Sequence, residues 1–545
     1  MQPRIARKLE GKNMLRRMFV AALAAAGLAI SAQSAIAATC SSLTSLTLPH
    51  ASVTLAQSVP AGSFTAPNGQ TFTNLPAFCR VAVVSMPSPD SHINLEVWMP
   101  ERTATTAWNG RYQQEGNGGF AGAIPYASLA GALTGLYATA GTDDGHVGGT
   151  ADFAVGHHQQ VIDFGFRALK ETTDSAKAVI AAFYGSGPRF SYFVGCSDGG
   201  REALMEAQRF PEDFDGISAG APANDWTHLF TGFVWNEQAL FANPGSSIPP
   251  EKLPAIQRAA LAQCDALDGI TDGLLNDPRK CKFDPAVIQC SGAETNNCLT
   301  AAQVAAARKI YAGPRNPRTG TLIFPGYEAG AEAAPGGWSA WITGPFPLAG
   351  APTIQAFFGN EFFGLMVHED RAWDYKAMNF DYDVSFADNT RAGTINSTDL
   401  DLSRFRAHGG KLIQWHGWDD PAIAPRSSIN YFENVVARSG NGDRALRETQ
   451  AFFRLFLAPG VLHCGGGPGP NVFDTVAPLV KWVEQGAAPE RITATKYNGD
   501  NPANGVAMTR PLCPFPQFAE HKGNGSTNAA ENFVCKAQDQ GGDDD

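Results

Sequence analysis

Beyond its first 37 residues the chain has no apolar run approaching the 20 or so residues that cross a bilayer, so no membrane span is predicted. It also lacks any C-x-x-C pair, which leaves zinc-ribbon and thioredoxin-type readings without support. Charged residues are scarce, at 17%, and the net charge of −11 lacks the basic excess that a nucleic-acid partner requires. Anionic polymers are poor ligands for the same reason. There is no internal repeat, and low complexity is confined to the tail 540–545. What remains is a globular composition, 44% hydrophobic over 545 residues. That length suits two ordinary domains, or one large domain with an insertion.

The N-terminus reads as an address. Arg4, Arg7, Lys8, Lys12, Arg16 and Arg17 form a basic leader, the apolar stretch 18–30 follows, and Ala35-Ile36-Ala37 supplies the small residues at which signal peptidase cuts. Met14 is an alternative start that gives a shorter leader. No Cys follows the cut directly, so lipid anchoring is not indicated. Residues 1–37 are therefore expected to be a signal peptide, and the mature protein to be periplasmic or secreted. All ten cysteines lie after the cut, and an even number in an exported chain points to disulfides.

Between residues 80 and 222, apolar runs alternate with helical patterns. Strands are predicted at 80–86, 93–99, 111–115, 136–141, 190–194 and 216–221, with helices at 164–184 and 199–209. The pattern breaks from 223 to 400, a Gly-, Pro- and aromatic-rich stretch that reads as irregular. It resumes with strands at 411–415 and 453–457, then a helix near 477–485. This alternation predicts an α/β fold, a mostly parallel sheet flanked by helices. The core would comprise 38–222 and 401–545, with 223–400 inserted as a lid domain.

The run 190–194 enters Gly195-Cys196-Ser197-Asp198-Gly199-Gly200 and a helical pattern follows, which is G-x-S-x-G between strand and helix. A serine on so sharp a turn presents its Oγ at a helix N-terminus, and a Cβ two positions away on either side would collide with the flanking elements. Ser197 is thus the candidate nucleophile of an α/β-hydrolase, which then needs an acid and a histidine later in the chain. His463 lies in a glycine-rich turn after the 453–457 strand. Asp419 and Asp420 both follow the 411–415 strand, and Asp420, before Pro421, is the favoured partner. Cys196 and Cys464 adjoin Ser197 and His463, so contact between those two would bring the cysteines within disulfide range. For the oxyanion hole, the N–H of Asp198 and one from Gly116-Asn117-Gly118-Gly119 fit, Gly119 being preferred. His416 is read either as a pocket residue or as a cap on its strand. The lid aromatics Trp338, Trp341, Phe357, Phe358, Phe362, Phe363 and Trp373 offer an aromatic clamp, with Phe358 and Phe362 as substrate contacts, or plain lid core.

Cys264-Asp265-Ala266-Leu267-Asp268-Gly269-Ile270-Thr271-Asp272-Gly273-Leu274 places three carboxylates in one turn-rich run, a pattern that suits calcium or a solvated turn equally. Its spacing is not that of an EF-hand.

With these residues in view the chain resembles the tannase and feruloyl esterase family of α/β-hydrolases. The resemblance spans most of the mature chain. It rests on Trp108-Asn109-Gly110-Arg111, the elbow through Arg201-Glu202, Gln208-Arg209-Phe210-Pro211, Asp215-Gly216-Ile217 and the acidic run. His416 to Asp420, His463 to Gly469, and Arg510-Pro511-Leu512-Cys513-Pro514 complete it. It implies a Ser197–Asp420–His463 triad that acts on aromatic ester substrates. It implies a structural calcium bound by Asp265, Asp268, Asp272 and the carbonyls of Ile270 and Leu274, and no organic cofactor. It implies the bridges Cys40–Cys79, Cys196–Cys464, Cys264–Cys281, Cys290–Cys298 and Cys513–Cys535. Family members split gallate or hydroxycinnamate esters, or a terephthalate monoester held through a lid arginine. The matching stretch Phe357 to Phe363 holds no arginine, which favours a neutral phenolic acyl group, above all hydroxycinnamate. Outside esterases, a serine peptidase would use the same triad, and a calcium-dependent binding module would need no triad at all. Oligomeric state has no signature in the sequence.

Overall fold

Ten strands in the order β1-β2-β3-β4-β6-β5-β7-β8-β9-β10 form the central sheet. They are, along the chain, Thr47–Leu48, Ala51–Val59, Phe78–Ser85, Ile93–Pro100, Arg111–Glu115, Ala138–Thr142, Phe190–Cys196, Gly216–Gly220, Lys411–Gly417 and Phe453–Ala458. From β6 to β10 all neighbours run parallel. β1 to β4 pair antiparallel with one another, and β4 with β6. This computed structural model describes residues 38–537 apart from Thr105 and Ala349, so the leader and the acidic tail lie outside the described residues.

The parallel strands are buried on both faces, which is why they read as apolar runs and not as alternation. Helices α1 (Tyr126–Thr134), α2 (Ala168–Tyr184) and α3 (Asp198–Arg209) follow β5, β6 and β7. On one face, Leu169, Val179 and Ile180 of α2 and Leu204 and Met205 of α3 pack on Phe193, Leu412 and Leu455. On the other, Leu479 and Trp482 of a helix at Val476–Gln485 cover Tyr192, Ile413 and Phe456. The ends of the sheet thereby become a rigid platform for loops.

Between Gly220 and Lys411 the chain adds no strand to this sheet. Read from the sequence as irregular, the segment contains regular helices between its turns and loops. α4 (Trp226–Phe241), α5 (Leu253–Cys264) and α6 (Ala301–Ala312) are its main helices. α4 is buried over most of its circumference, so its sequence carries little 3.6-residue periodicity to detect. Its Trp226, Phe230 and Phe233 join Phe120, Phe153, Phe164 and Phe362 in an aromatic core between insertion and sheet. The described residues form one compact unit, in which the insertion packs on the sheet through this aromatic core. No helix among them is long and apolar enough to cross a membrane.

All five disulfides have the connectivity that the family resemblance implies. Cys196–Cys464 spans 268 residues. Closing so long a loop in the unfolded chain is worth roughly 5.5 kcal/mol in the chain-entropy picture.

Candidate active site

β7 ends at Cys196 and α3 begins at Asp198, leaving Ser197 alone on the turn with φ +67° and ψ −121°. A side-chain-bearing residue holds that conformation only where its surroundings force it. Here the Ser197 N–H donates to the Gly220 carbonyl at 3.0 Å, and its own carbonyl accepts the N–H groups of Gly200, Arg201 and Ala223. The glycines leave no alternative: a Cβ on Gly195 would lie 2.3 Å from the Gly199 carbonyl oxygen, and one on Gly199 2.8 Å from that of Asn117.

His463 Nε2 lies 2.8 Å from Ser197 Oγ, and His463 Nδ1 lies 2.8 Å from Asp420 Oδ2. Asp420 is buried, and its other oxygen accepts the N–H groups of Ala422 and Ile423 at 2.8 and 2.9 Å. Burial opposes ionisation of this carboxyl, but the positive field of His463 and hydrogen bonds from His416 and His463 outweigh it and hold its pKa below the usual range. Asp419, the alternative acid, points elsewhere. Burial, followed by the charge of Glu332, pushes its carboxyl well above the ordinary value. The Cys196–Cys464 bridge joins the neighbours of Ser197 and His463, with Cα atoms 6.0 Å apart.

The N–H groups of Gly119 and Asp198 have no hydrogen-bond acceptor among the described residues, and both residues border the cavity above Ser197. Gly119 has φ +62°, and a Cβ there would meet the Phe358 ring at 3.2 Å. Apart from Ser197, Asp198 and His463 the cavity lining is apolar: Ala223, Trp226, Leu229, Phe230, Phe233, Trp341, Phe358, Ala422 and Ile423. The Asp198 carboxylate is turned away from it onto Arg201, a fully buried guanidinium that also donates to the carbonyls of Phe164 and Gly165.

A strained serine hydrogen-bonded to a carboxylate-held histidine, beside two unpaired N–H groups, suits acyl transfer chemistry. Residues 79–536 match the family described as tannase and feruloyl esterase. The chain belongs to that family and is a carboxylic ester hydrolase. An uncharacterized esterase of Xanthomonas campestris pv. campestris is 46% identical over 95% of this chain and 94% of its own. The mono(2-hydroxyethyl) terephthalate hydrolase of Piscinibacter sakaiensis is 34% identical over 85% of each chain. Among solved structures, feruloyl esterase B from Aspergillus oryzae superposes with a TM-score of 0.82 and 27% identity, covering 90% of this chain and 98% of the other.

In this family member two of the expected substrate contacts need correction. His416 is fully buried behind Asp420, its Nε2 3.1 Å from Asp420 Oδ2 and 2.9 Å from the Ile423 carbonyl, its Nδ1 2.7 Å from Ser428 Oγ. It hydrogen-bonds the acid from behind and does not line the cavity. Phe362 sits one turn beyond Phe358, wholly buried against Phe230 and Trp226. Of the lid aromatics only Trp341 and Phe358 reach the cavity, Trp341 packing edge-on to the His463 ring at 5.1 Å between centroids. Phe363 and Trp373 stack on each other, and Trp338 packs on Tyr311.

The acidic loop lies away from this cavity. Asp265 accepts the N–H groups of Asp272 and Gly273, Asp268 those of Ile270 and Asn276, and Asp272 that of Leu274. Arg510 donates to Asp272 at 2.7 Å. The three carboxylates do not all lie within 4.8 Å of one another. The donor set is nonetheless all oxygen, and the carbonyls of Ile270 and Leu274 accept no hydrogen bond among the described residues. Oxygen donors of this kind are the ones a hard cation takes.

Asn117, Asp144 and Glu202 lie together behind the elbow; the sequence motifs contain Asn117 and Glu202 but give neither a role of its own, and they do not include Asp144. Two isolated acids far apart in the chain carry no spacing signal.

Proposed function

We propose that the protein is an exported serine esterase that cleaves esters of neutral phenolic acids, hydroxycinnamates first, through an acyl-enzyme. The observation that carries this reading is the Ser197–His463–Asp420 hydrogen-bonded chain opening onto a cavity whose remaining wall is apolar and aromatic. Ser197 Oγ attacks the ester carbonyl while His463 Nε2 takes its proton, the ring held in the required tautomer by Asp420. The N–H groups of Gly119 and Asp198 receive the oxyanion, a donor of this kind being worth about 3 kcal/mol in the transition state. His463 then protonates the departing alkoxide. Water, deprotonated by the same ring, releases the acid.

The cavity wall argues for the acyl group. A terephthalate monoester would bring its free carboxylate against Phe230, Phe233 and Phe358 with no cation among the lining residues to meet it, a costly desolvation. A galloyl group would bury three hydroxyls there, each unpaired one costing about 1–3 kcal/mol, whereas a feruloyl group carries one. The test is kcat/KM of the purified enzyme on methyl ferulate, chlorogenate, methyl gallate and mono(2-hydroxyethyl) terephthalate. Hydroxycinnamate esters should exceed the terephthalate monoester by at least about 10-fold. Preference for the monoester would overturn the assignment, and tannase-like preference for the gallate would redirect it. Cleavage of amides in place of esters would favour a peptidase.

Five disulfides support export to an oxidising compartment, since such bridges are rare in the cytosol. Asp265, Asp268, Asp272 and the carbonyls of Ile270 and Leu274 are proposed to hold a structural calcium, which would neutralise the loop and tie it to the strand bearing Arg510. Chelation of the full-length enzyme should then lower Tm by about 5 °C, with calcium and not magnesium restoring it. An unshifted Tm, with no calcium retained after dialysis, would remove the ion from the account. A binding module without catalysis would keep its calcium response yet show no turnover of any ester.

A further inference from the structure

Asn117 is fastened on three sides. Its N–H donates to Glu202 Oε2 at 3.0 Å, its carbonyl accepts the Gly199 N–H at 2.8 Å, and its Nδ2 donates to the Thr142 carbonyl at 2.9 Å. It stands two residues before Gly119, while Gly199 and Glu202 belong to the helix that Asp198 opens. The hydrogen bonds of this one residue therefore set the distance between the two N–H groups assigned to the oxyanion. The packing has no slack, because a Cβ on Gly116 would lie 2.6 Å from the Gly199 Cα.

Glu202 is fully buried and carries out this task in acidic company. Carboxylate oxygens of Asp144, Asp198 and Glu202 lie within 4.8 Å of one another. The groups that face Glu202 are Asp144, from the loop after β6, and Asp198 and Arg201 on its own helix. Arg201 is committed to Asp198. Asp144 forms no ion pair of its own among the described residues, although the charge of Arg201 acts on it, and its carboxyl faces that of Glu202 directly. Two buried carboxylates so close cannot both be ionised without repelling, whereas one shared proton turns repulsion into a hydrogen bond. The electrostatics agree: burial foremost pushes Asp144 up to about 7, and burial together with the charge of Asp144 pushes Glu202 well above the carboxylate range.

We propose that Glu202, sharing a proton with Asp144, is the positioning residue of the oxyanion loop, holding Asn117 so that the Gly119 and Asp198 N–H groups converge. This rests on the reading of Ser197 as nucleophile with those two donors. At alkaline pH the pair loses its proton, the two carboxylates separate, and the loop loses its anchor.

The experiment compares Glu202→Gln, Glu202→Leu and Asp144→Asn with wild type and with Ser197→Ala, measuring kcat and KM for methyl ferulate from pH 6 to 10. Glu202→Leu should lower kcat about 100-fold, with KM within about 3-fold of wild type, as expected for loss of oxyanion stabilisation. Glu202→Gln should recover most of that kcat, because its Oε1 still accepts the Asn117 N–H and its Nε2 donates to Asp144. Glu202→Gln and Asp144→Asn should also both lack the alkaline fall in kcat that wild type shows. The proposal fails if Glu202→Leu keeps the wild-type kcat or changes only KM. It fails equally if the alkaline limb of Glu202→Gln matches that of wild type. Should Glu202→Leu not fold, that pH comparison decides alone. Activity surviving in Ser197→Ala would instead mark failure of the underlying reading, independent of the Glu202 series.

Discussion

Ser197→Ala is expected to lower kcat on a hydroxycinnamate ester by about 10⁵-fold or more, the scale at which loss of a nucleophile acts in a triad. Stability should hardly change. The Ser197 backbone is pinned by four main-chain hydrogen bonds, to Gly220, Gly200, Arg201 and Ala223, which alanine makes equally well. Alanine also meets the strained φ of +67° with the same Cβ that serine carries. The side chain contributes a single hydrogen bond, to His463, so Tm should move by no more than a few degrees. Steady-state kinetics and a thermal melt on the same preparation check both halves. A large loss of Tm would assign Ser197 a structural role, and residual activity near wild type would remove it from the chemistry.

Asp420→Asn should cost about 10⁴-fold in kcat, for a reason visible in its hydrogen bonds. One carboxylate oxygen accepts the N–H groups of Ala422 and Ile423, and the other accepts from His463 Nδ1 and His416 Nε2. An asparagine must keep its carbonyl toward Ala422 and Ile423, so its NH₂ faces the two rings. His463 can then meet it only with an unprotonated Nδ1, which puts the ring proton on Nε2, facing Ser197. The ring is left in the wrong tautomer to act as a base. KM should change little, and the loss should shrink at high pH as hydroxide assists. Equal activity in Asp420→Asn and wild type would shift the orienting role to another group.

Much of this site's layout is legible in the sequence. The elbow announces itself because its glycines answer a steric demand that the structure makes explicit at Gly195 and Gly199. Strand positions carried over within a few residues wherever burial on both faces produced short apolar runs, as at Phe190–Cys196 and Gly216–Gly220. The same physics hid α4, since a helix buried nearly all round looks like an irregular apolar stretch. His416 went astray for a directional reason: position at the end of β9 gives proximity to the site but not which way the ring points. Phe358 and Phe362 share a composition-rich segment, yet one turn of depth separates a cavity wall from solid core. The Asp144–Glu202 pair had no local signature at all, because it exists only once β6 and α3 are packed together.

The central claim, that acyl transfer proceeds through Ser197, is tested most directly by intact-mass analysis of enzyme quenched during turnover of a slow hydroxycinnamate ester, followed by peptide mapping. The account predicts one acyl adduct, carried by the peptide containing Ser197 and absent in Ser197→Ala. An adduct on another residue, or steady hydrolysis by a Ser197→Ala enzyme, would contradict it.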